Sequence, residues 1–495
     1  MLNLITNQQM RMADAYTCEN LKIPSVDLME KAAIAFVKAF ISYCNPEREV
    51  YIIVGKGNNG GDGLAIARLL HQTGFKNIKV YILEKFNSES NDFVINYERL
   101  KQTEVPILHC TALNDLPPTF DVAIDAILGS GFNRELDLFF TSIFKHINTN
   151  SNFIVSVDVP SGCNVDSFNY NSYNGIRAQL TISFQRPKFF FTLPESQMVT
   201  EDFEVVDIGL SQEYIQSITS EYLWVDKEAA KSLLPRRKKF THKGTYGHVL
   251  VCAGSPHMRG ASLLCAKAVL KTGAGLITLL TNSDFFPFVN VLAPELMTKN
   301  INQFKDINLE KFSSIAIGPG LGTDEKAKEL VHYFLRQNTP LVLDADALNV
   351  LQLEDFPKNP HESLIITPHV NEFDRLFGQH ESWYERLQTA KKSAEKLKII
   401  IVLKNQYTYI CTPNGKVFIN STGNPAMAQG GMGDALTGCI AALLARGLNP
   451  QEAAILGCFI HGYTGDKLAQ QYEVVSPSLL IDNLPKSLLD ISKGE

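Results

Sequence analysis

Two stretches place residues that can do chemistry at telling distances from one another. In GNPAMAQGGMGDALTGCIAALLARG, from Gly423, the glycines Gly430, Gly431 and Gly433 precede an apolar, helix-like run that begins near Asp434. Bare glycine backbone at the start of a helix gathers free N–H groups at the positive end of the helix, where an anion is held. An aspartate at that point can take the proton of a substrate hydroxyl while the amides hold a phosphoryl group in transfer. This is kinase chemistry without a Walker sequence. A glycine-rich helix start often serves close packing alone, but Gly-Gly-x-Gly-Asp joined to Asn424-Pro425 favours a site.

The second stretch, VYIIVGKGNNGGDGLAIARLL from Val50, reads as a strand, a glycine-rich turn and a helix. Gly55-x-Gly57-x-x-Gly60 matches the dinucleotide fingerprint, and Glu84 follows the next apolar run where a ribose-binding acid is expected. Asn58, Asn59 and Asp62 crowd the turn with side-chain oxygens, which suits a cation or a polar ligand better than a tight pyrophosphate turn. Two further strand ends in this half carry acids: Asp125 in DVAIDAILGSGFNRE, and Asp158, with Ser161 nearby, in SVDVPSG. An acid at the end of a buried strand is costly unless paired, so three polar strand ends on one sheet edge point to a common ligand.

The elements that position these groups follow from the apolar runs. VYIIV, IKVYIL, DVAIDAIL, FIVSVDV, LTISF and FEVVDIG alternate with helical stretches such as Leu64–Gln72, and SVDLMEKAAIAFVKAFISYC has apolar residues at helical spacing before the first strand. The pattern predicts parallel strands with ligands at their carboxyl ends. It loosens after Leu210 and restarts with HVLVCAG, LITLL, SIAIGPG, PLVLDAD, LIITPH, IIIVLK and TYICT. The expectation is an α/β protein of two domains, 1–220 and 221–495, with the boundary falling between 215 and 225. In the second half the strand ends are again polar: Gly318 to Gly322, Asp344 and Asp346, Thr367-Pro-His369 beside Glu372, and Lys404. His369 is equally readable as a structural histidine, and Lys404 as a lysine that snorkels from a buried strand.

The bulk composition sets bounds. A chain of 495 residues is too long for one core, and a net charge of −6 with both signs interspersed gives no reason to expect nucleic acid. PRRKKFTHK, 235–243, is a local basic run that reads first as a solvated linker. Nine cysteines without a Cys-x-x-Cys pair read as reduced thiols. The absence of an apolar leader and of a membrane-length apolar run places the protein in the cytoplasm, away from membranes. A homo-oligomer is the expected assembly.

GKGNNGGDG, AILGSGF and SVDVPSG, in this order, resemble the epimerase domain of NAD(P)H-hydrate repair proteins, Rossmann-like, over roughly the first 210 residues. The resemblance implies Asn59, Asp125 and Ser161 as potassium ligands, and Asp125 is also expected to be a catalytic residue. It implies Asn58, Asn59, Gly60, Gly61 and Asp62, the loop Gly129, Ser130, Gly131, Phe132, Asn133, Arg134 and Glu135, and Asp158 as the surface for hydrated nicotinamide nucleotide. The glycine-rich turn then meets a dinucleotide as substrate, not as redox cofactor.

HKGTYGHVLVCAGS, GPGLG, DADAL, TPH and GGMGD resemble the ADP-dependent NAD(P)H-hydrate dehydratases, a ribokinase-like domain, over about 240–490. This implies Asp434 as the acid acting at the substrate, Ala261, Gly322 and His369 as hydrate contacts, and Lys404, Asn405, Gln406, Tyr407, Thr408 and Gly433 as nucleotide contacts. ADP, with Mg²⁺, is implied as phosphoryl donor because the fused arrangement resembles the bacterial type. Two departures stand out: Thr367-Pro-His-Val-Asn-Glu372 replaces the usual Thr-Pro-His-Pro-Gly-Glu, and Leu403-Lys-Asn405 the usual Leu-Lys-Gly. The implied activity is repair of NADHX and NADPHX: epimerisation of the hydrate and phosphorylation of one epimer at the C6 hydroxyl, with phosphate then expelled. A kinase for a free vitamin or sugar alcohol fused to a non-catalytic binding domain is the alternative that the glycine-rich anion site alone allows. For epimerisation, hydroxide loss and ring opening both remain open.

Overall fold

A strand buried on both faces needs apolar side chains at every position, and Val50–Val54 (β1) has them. Val50, Ile52 and Val54 enter one core with Leu64 and Leu70, while Tyr51 and Ile53 enter another with Phe140, Ile143 and Phe144. This is the two-residue alternation of a strand between helix layers. The computed structural model describes residues 1–86, 88–132, 135–166, 173–357 and 363–494. The chain divides into two compact units, Asn3–Ser220 and Glu221–Glu495, the second including Met1–Leu2.

In the first unit, helices Asn7–Leu21 (α1) and Ser25–Phe40 (α2) precede β1, and helix Asn58–Gln72 (α3) follows it. Strands Ile78–Leu83 (β2), Ile107–Cys110 (β3), Phe120–Ala126 (β4), Ser151–Val157 (β5), Ala178–Phe184 (β6) and Thr200–Val206 (β7) complete the sheet, with helix Leu138–Asn150 (α4) between β4 and β5. The order is β3-β2-β1-β4-β5-β6-β7, all parallel. The order reverses between β1 and β4, and a doubly wound sheet binds its ligand at the carboxyl edge of that switch point. The glycine-rich stretch after β1 and the 127–132 loop after β4 both lie there.

Helix α3 begins at Asn58, not at Leu64. The asparagines and Asp62 therefore occupy a first helical turn and not an open loop. Close packing explains two of the glycines: a Cβ on Gly60 would fall 1.9 Å from the carbonyl oxygen of Gly55, and one on Gly63 would fall 2.6 Å from Cβ of Ala126 and 2.7 Å from Cγ1 of Val54.

The second unit contains strands Tyr222–Val225 (β8), His248–Cys252 (β9), Leu276–Thr281 (β10), Met297–Asn300 (β11), Ser314–Ile317 (β12), Leu341–Leu343 (β13), Leu364–Ile366 (β14), Ile400–Leu403 (β15), Tyr409–Cys411 (β16) and Val417–Asn420 (β17). Their order is β8-β17-β16-β15-β14-β13-β12-β9-β10-β11, parallel except that β16 runs against both neighbours. Helices Arg259–Thr272 (α5), Met432–Ala445 (α7) and Pro450–Ala469 (α8) pack in its main core, and helix Val370–Phe377 (α6) follows β14. Ile317, Leu343 and Ile366 lie in register, so the polar residues that follow them share one edge.

Gly63→Ala is expected to force α3 off the β1–β4 floor and destabilise the first unit by about 1–3 kcal/mol, the usual cost of overpacking. Urea unfolding followed by probes within Asn3–Ser220 checks it.

Candidate active sites

In the first unit the buried acid at the end of β4 is the anchor. Asp125 is in register with Ser156 of β5 and accepts from its hydroxyl at 2.8 Å. It also accepts from the Ser161 amide at 2.8 Å, from the Ser161 hydroxyl at 2.5 Å and from the Ile127 amide at 3.3 Å. Ser161 Oγ accepts in turn from the Leu128 amide at 2.8 Å. Among the described residues the hydrogen-bond partners of Asp125 are all neutral, and burial raises its pKa despite four hydrogen bonds that lower it. Asn59 is buried, its amide nitrogen has no hydrogen-bond partner, and its side chain lies against Gly129. A fully desolvated carboxylate beside hydroxyl, carbonyl and amide oxygens is a donor set that fits a monovalent hard cation. The direct bonds join Asp125 to Ser161, and Asn59 reaches the pair through the Leu128–Gly129 backbone.

The remaining residues of this site spread around that anchor. Gly60 and Gly61 are buried, Asn58 exposed and Asp62 partly buried. Ser130 and Gly131 lie on the loop after β4, Phe132 packs at the edge of the core, and Glu135 is exposed. Asn133 and Arg134 lie outside the described residues. Asp158, directly after β5, has φ of 65°, a strained conformation for aspartate. It accepts from the Phe184 amide at 3.0 Å and pairs with Lys188 at 3.0 Å. Lys188, 4 % exposed, is a buried cation beside these residues that the sequence patterns miss. Its signal was a lysine just beyond the apolar run LTISF, a place where a buried cation needs a reason.

In the second unit Asp344 plays the corresponding part. It follows β13, is 1 % exposed, and accepts from Lys404 Nζ at 2.8 Å and from Thr437 of α7 at 2.8 Å. Lys404 follows β15 and holds the Asp344 carboxyl below the usual carboxylate range despite complete burial. Glu372 is the second carboxylate near that ammonium, at 4.0 Å. Ala345, at φ 49°, separates the two aspartates of DADAL: Asp344 turns to Lys404, and Asp346 accepts from the Gly322 amide at 2.8 Å. Gly433 lies over this pair, with its absent Cβ 3.4 Å from Lys404 Nζ and 3.5 Å from Asp344.

Asp434 is in the first turn of α7, whose N-cap Gly431 has φ of 97°. Burial, then repulsion from Asp344, pushes its pKa up to about 7. Two cavities flank this region. One of about 330 Å³ is lined by Lys404, Asn405, Gln406, Thr408, Gly433 and His461, among others. Nδ2 of Asn405 and Nε2 of His461 are buried there without partners. Tyr407 instead stacks obliquely with Trp224, ring centroids 5.5 Å apart. The other cavity, about 490 Å³, opens between Ser255, Asn282 and Leu321. Gly322 approaches Ser255, and Ala261 packs on Gly320 beside the same loop. His369 caps α6: its Nδ1 accepts from the amides of Asn371 and Glu372, and Glu372 accepts from the His369 amide. Val370 and Asn371 thus replace the usual Pro-Gly without loss of a capped helix. Among the described residues no cluster of three or more His, Cys, Asp or Glu side chains forms a metal cage.

A switch-point site on a Rossmann-like sheet, followed by a glycine-aspartate helix entry on a second sheet, defines a two-domain α/β enzyme. The family described as NAD(P)H-hydrate dehydratase matches residues 249–486, and that described as YjeF-related protein N-terminus matches 25–189. The bifunctional NAD(P)H-hydrate repair enzyme Nnr of Coxiella burnetii is 34 % identical over 474 residues, 94 % of this chain and 95 % of its own. That of Moorella thermoacetica is 34 % identical over 517 residues, 99 % and 97 %. The ADP/ATP-dependent NAD(P)H-hydrate dehydratase of Bacillus subtilis, co-crystallised with ATP and Mg²⁺, is 33 % identical with a TM-score of 0.51, covering 54 % of this chain and 98 % of its own. A ribokinase-like protein of Enterococcus faecalis gives a TM-score of 0.52 at 28 % identity, covering 56 % and 98 %. The chain belongs to the bifunctional NAD(P)H-hydrate repair enzymes.

Lys404→Met would leave Asp344 buried and ionised without its cation, and is expected to cost roughly 3 kcal/mol or more of stability in the second unit. Denaturant unfolding of the full chain measures it, and Lys404→Met with Asp344→Asn should recover much of the loss.

Proposed function

We propose that the first unit interconverts the C6 epimers of hydrated NADH and NADPH, and that the second dehydrates the S epimer with ADP, yielding NAD(P)H, AMP and phosphate. What supports this most is Asp434: a carboxyl at the positive end of a helix, next to a cavity with unpartnered polar atoms and a lysine. Its ionised form takes the proton of the C6 hydroxyl as oxygen attacks phosphorus, the amides around Gly433 and Lys404 hold the phosphoryl group, and Asn405, Gln406 and Thr408 face the nucleotide, whereas Tyr407 is engaged by Trp224. Mg²⁺ on the nucleotide would neutralise charge on the phosphates. Phosphate is then the leaving group, pushed out by the ring nitrogen. Ala261, Gly322 and His369 orient the hydrate. In the first unit, Asn59, Asp125 and Ser161 would hold potassium, which supplies positive charge beside the substrate, while Asn58–Asp62, the 129–135 loop and Asp158 hold the nucleotide, with Asp125 also acting in the reaction. Among the described residues no helix is long and apolar enough to cross a membrane. The cytoplasm is the expected place of action.

Asp434 must be ionised to act as base, and in the free enzyme it is protonated below about 7. Dehydratase kcat/KM is therefore expected to fall about tenfold for each pH unit below that value, and Asp434→Asn to lose activity by on the order of 10²-fold or more while epimerisation survives. Chromatography of both epimers with and without ADP reads this. Turnover of a free alcohol such as hydroxymethylpyrimidine, with none of the hydrate, would instead support the vitamin-kinase reading.

Replacing potassium by a bulky organic cation at constant ionic strength should slow epimerisation without changing dehydration of the S epimer, because general screening is held fixed. An unchanged epimerisation rate after thorough removal of potassium would remove the ion from the Asp125 site.

A further inference from the structure

Helix α1 carries Asn7, Arg11 and Asp14 at positions i, i+4 and i+7, which places them on one helical face. Asn7 Nδ2 donates to the Ser130 carbonyl at 2.9 Å. A Cβ on Gly131 would come 2.2 Å from a terminal nitrogen of Arg11. This face of α1 therefore lies on the loop after β4, at the switch point.

Asp14 is partly buried further along the same face, within electrostatic reach of Asp158 and Lys188. Asp62 of α3 feels both Asp158 and Asp14, and Asp92 beyond it. Cys18, one turn along α1, is the other titratable group that Asp14 acts on. Asp14, Asp62 and Asp158 thus form one cluster of carboxylates, with the buried ammonium of Lys188 paired to Asp158. The four groups are not equivalent. Asp158 is committed to Lys188 and the Phe184 amide. Asp62 is raised well above the usual carboxylate range, by burial first and then by Asp158 and Asp14. Asp14 is pushed up to about 6, by burial first and then by Asp158. Of the three acids it alone stands on the α1 face that meets the loop after β4.

Resting on the epimerase reading above, we propose that Asp14 is the acid–base residue of the first unit, passing its proton to and from the C6 hydroxyl of the hydrate. The C6–O bond breaks with its electron pair going to oxygen, which takes the Asp14 proton and leaves as water, while the ring-nitrogen lone pair stabilises the cationic ring. Water then adds to C6 from either face, and its surplus proton returns to Asp14. The cycle gains and loses no atom or proton, and both epimers are reached.

The test uses the full chain, separated epimers without ADP, and rates corrected for spontaneous epimerisation, over pH 5 to about 9. In wild type the rate should decline as pH rises through about 6, since bond breaking needs the protonated acid. Asp14→Asn should lower kcat on the order of 10²-fold with KM little changed and abolish that decline; Asp14→Glu should restore both activity and the titration. Dehydration of the S epimer should be the same in all three. A wild-type rate in Asp14→Asn, or a slowed variant that keeps the wild-type pH profile, would overturn the assignment, the second marking a merely structural role. A wild-type chain that never epimerises would instead overturn the epimerase reading.

Discussion

A charge buried at the carboxyl edge of a parallel sheet has to be answered, and each unit answers one differently. Asp344 meets a lysine, so its charge is settled within the chain, and Thr437 ties the settled pair to α7. Among the described residues Asp125 meets serine hydroxyls and backbone amides, which distribute the charge without cancelling it. The first arrangement fixes a helix end, and the second leaves a buried acid held by neutral donors. The positions of Asn59, Ser161, Gly433 and Asp434 follow from these two anchors.

The same contrast sets the protonation states. Lys404 holds Asp344 ionised, and the ionised Asp344 repels charge from Asp434, which burial already disfavours. An acid is thereby brought near neutrality by a neighbour that does no proton transfer itself. In the first unit the Asp158–Lys188 pair has a comparable influence on Asp14, where Asp158 repels and Lys188 partly compensates.

Much of this was legible in the sequence where burial is complete. Strand β1 is an uninterrupted apolar run and β2, β4 and β9 are mostly apolar, and the polar residues at their ends mark both candidate sites. Strand β3, with Leu108 and His109 exposed, sits at a sheet edge and carries too little apolar pattern to be recognised. Strand β8 reads as YLWV inside a polar stretch, where only its pairing with β17 reveals it. The first turn of α3 is built of residues with poor helix propensity, so periodicity begins at Leu64 although the helix begins at Asn58; tight packing of Gly60 and Gly63 holds the early turns. Helix α1 has little apolar periodicity because its working face is polar. Its signal was the capping box of Thr6 and Gln9. Lys188 could not be placed by type alone, since a lysine after a strand is ordinarily a surface residue.

The residues proposed for each site belong to a single unit, Asn3–Ser220 or Glu221–Glu495, and this has a consequence for flux. Epimerisation runs both ways and only restores the balance between the two forms of the hydrate, whereas phosphate release draws material out in one direction. Joining both in one polypeptide fixes their copy number at parity, so gene dosage or expression noise cannot starve the committed step of its supplier. Damaged coenzyme of either handedness then drains at a rate governed by one concentration, that of a single chain.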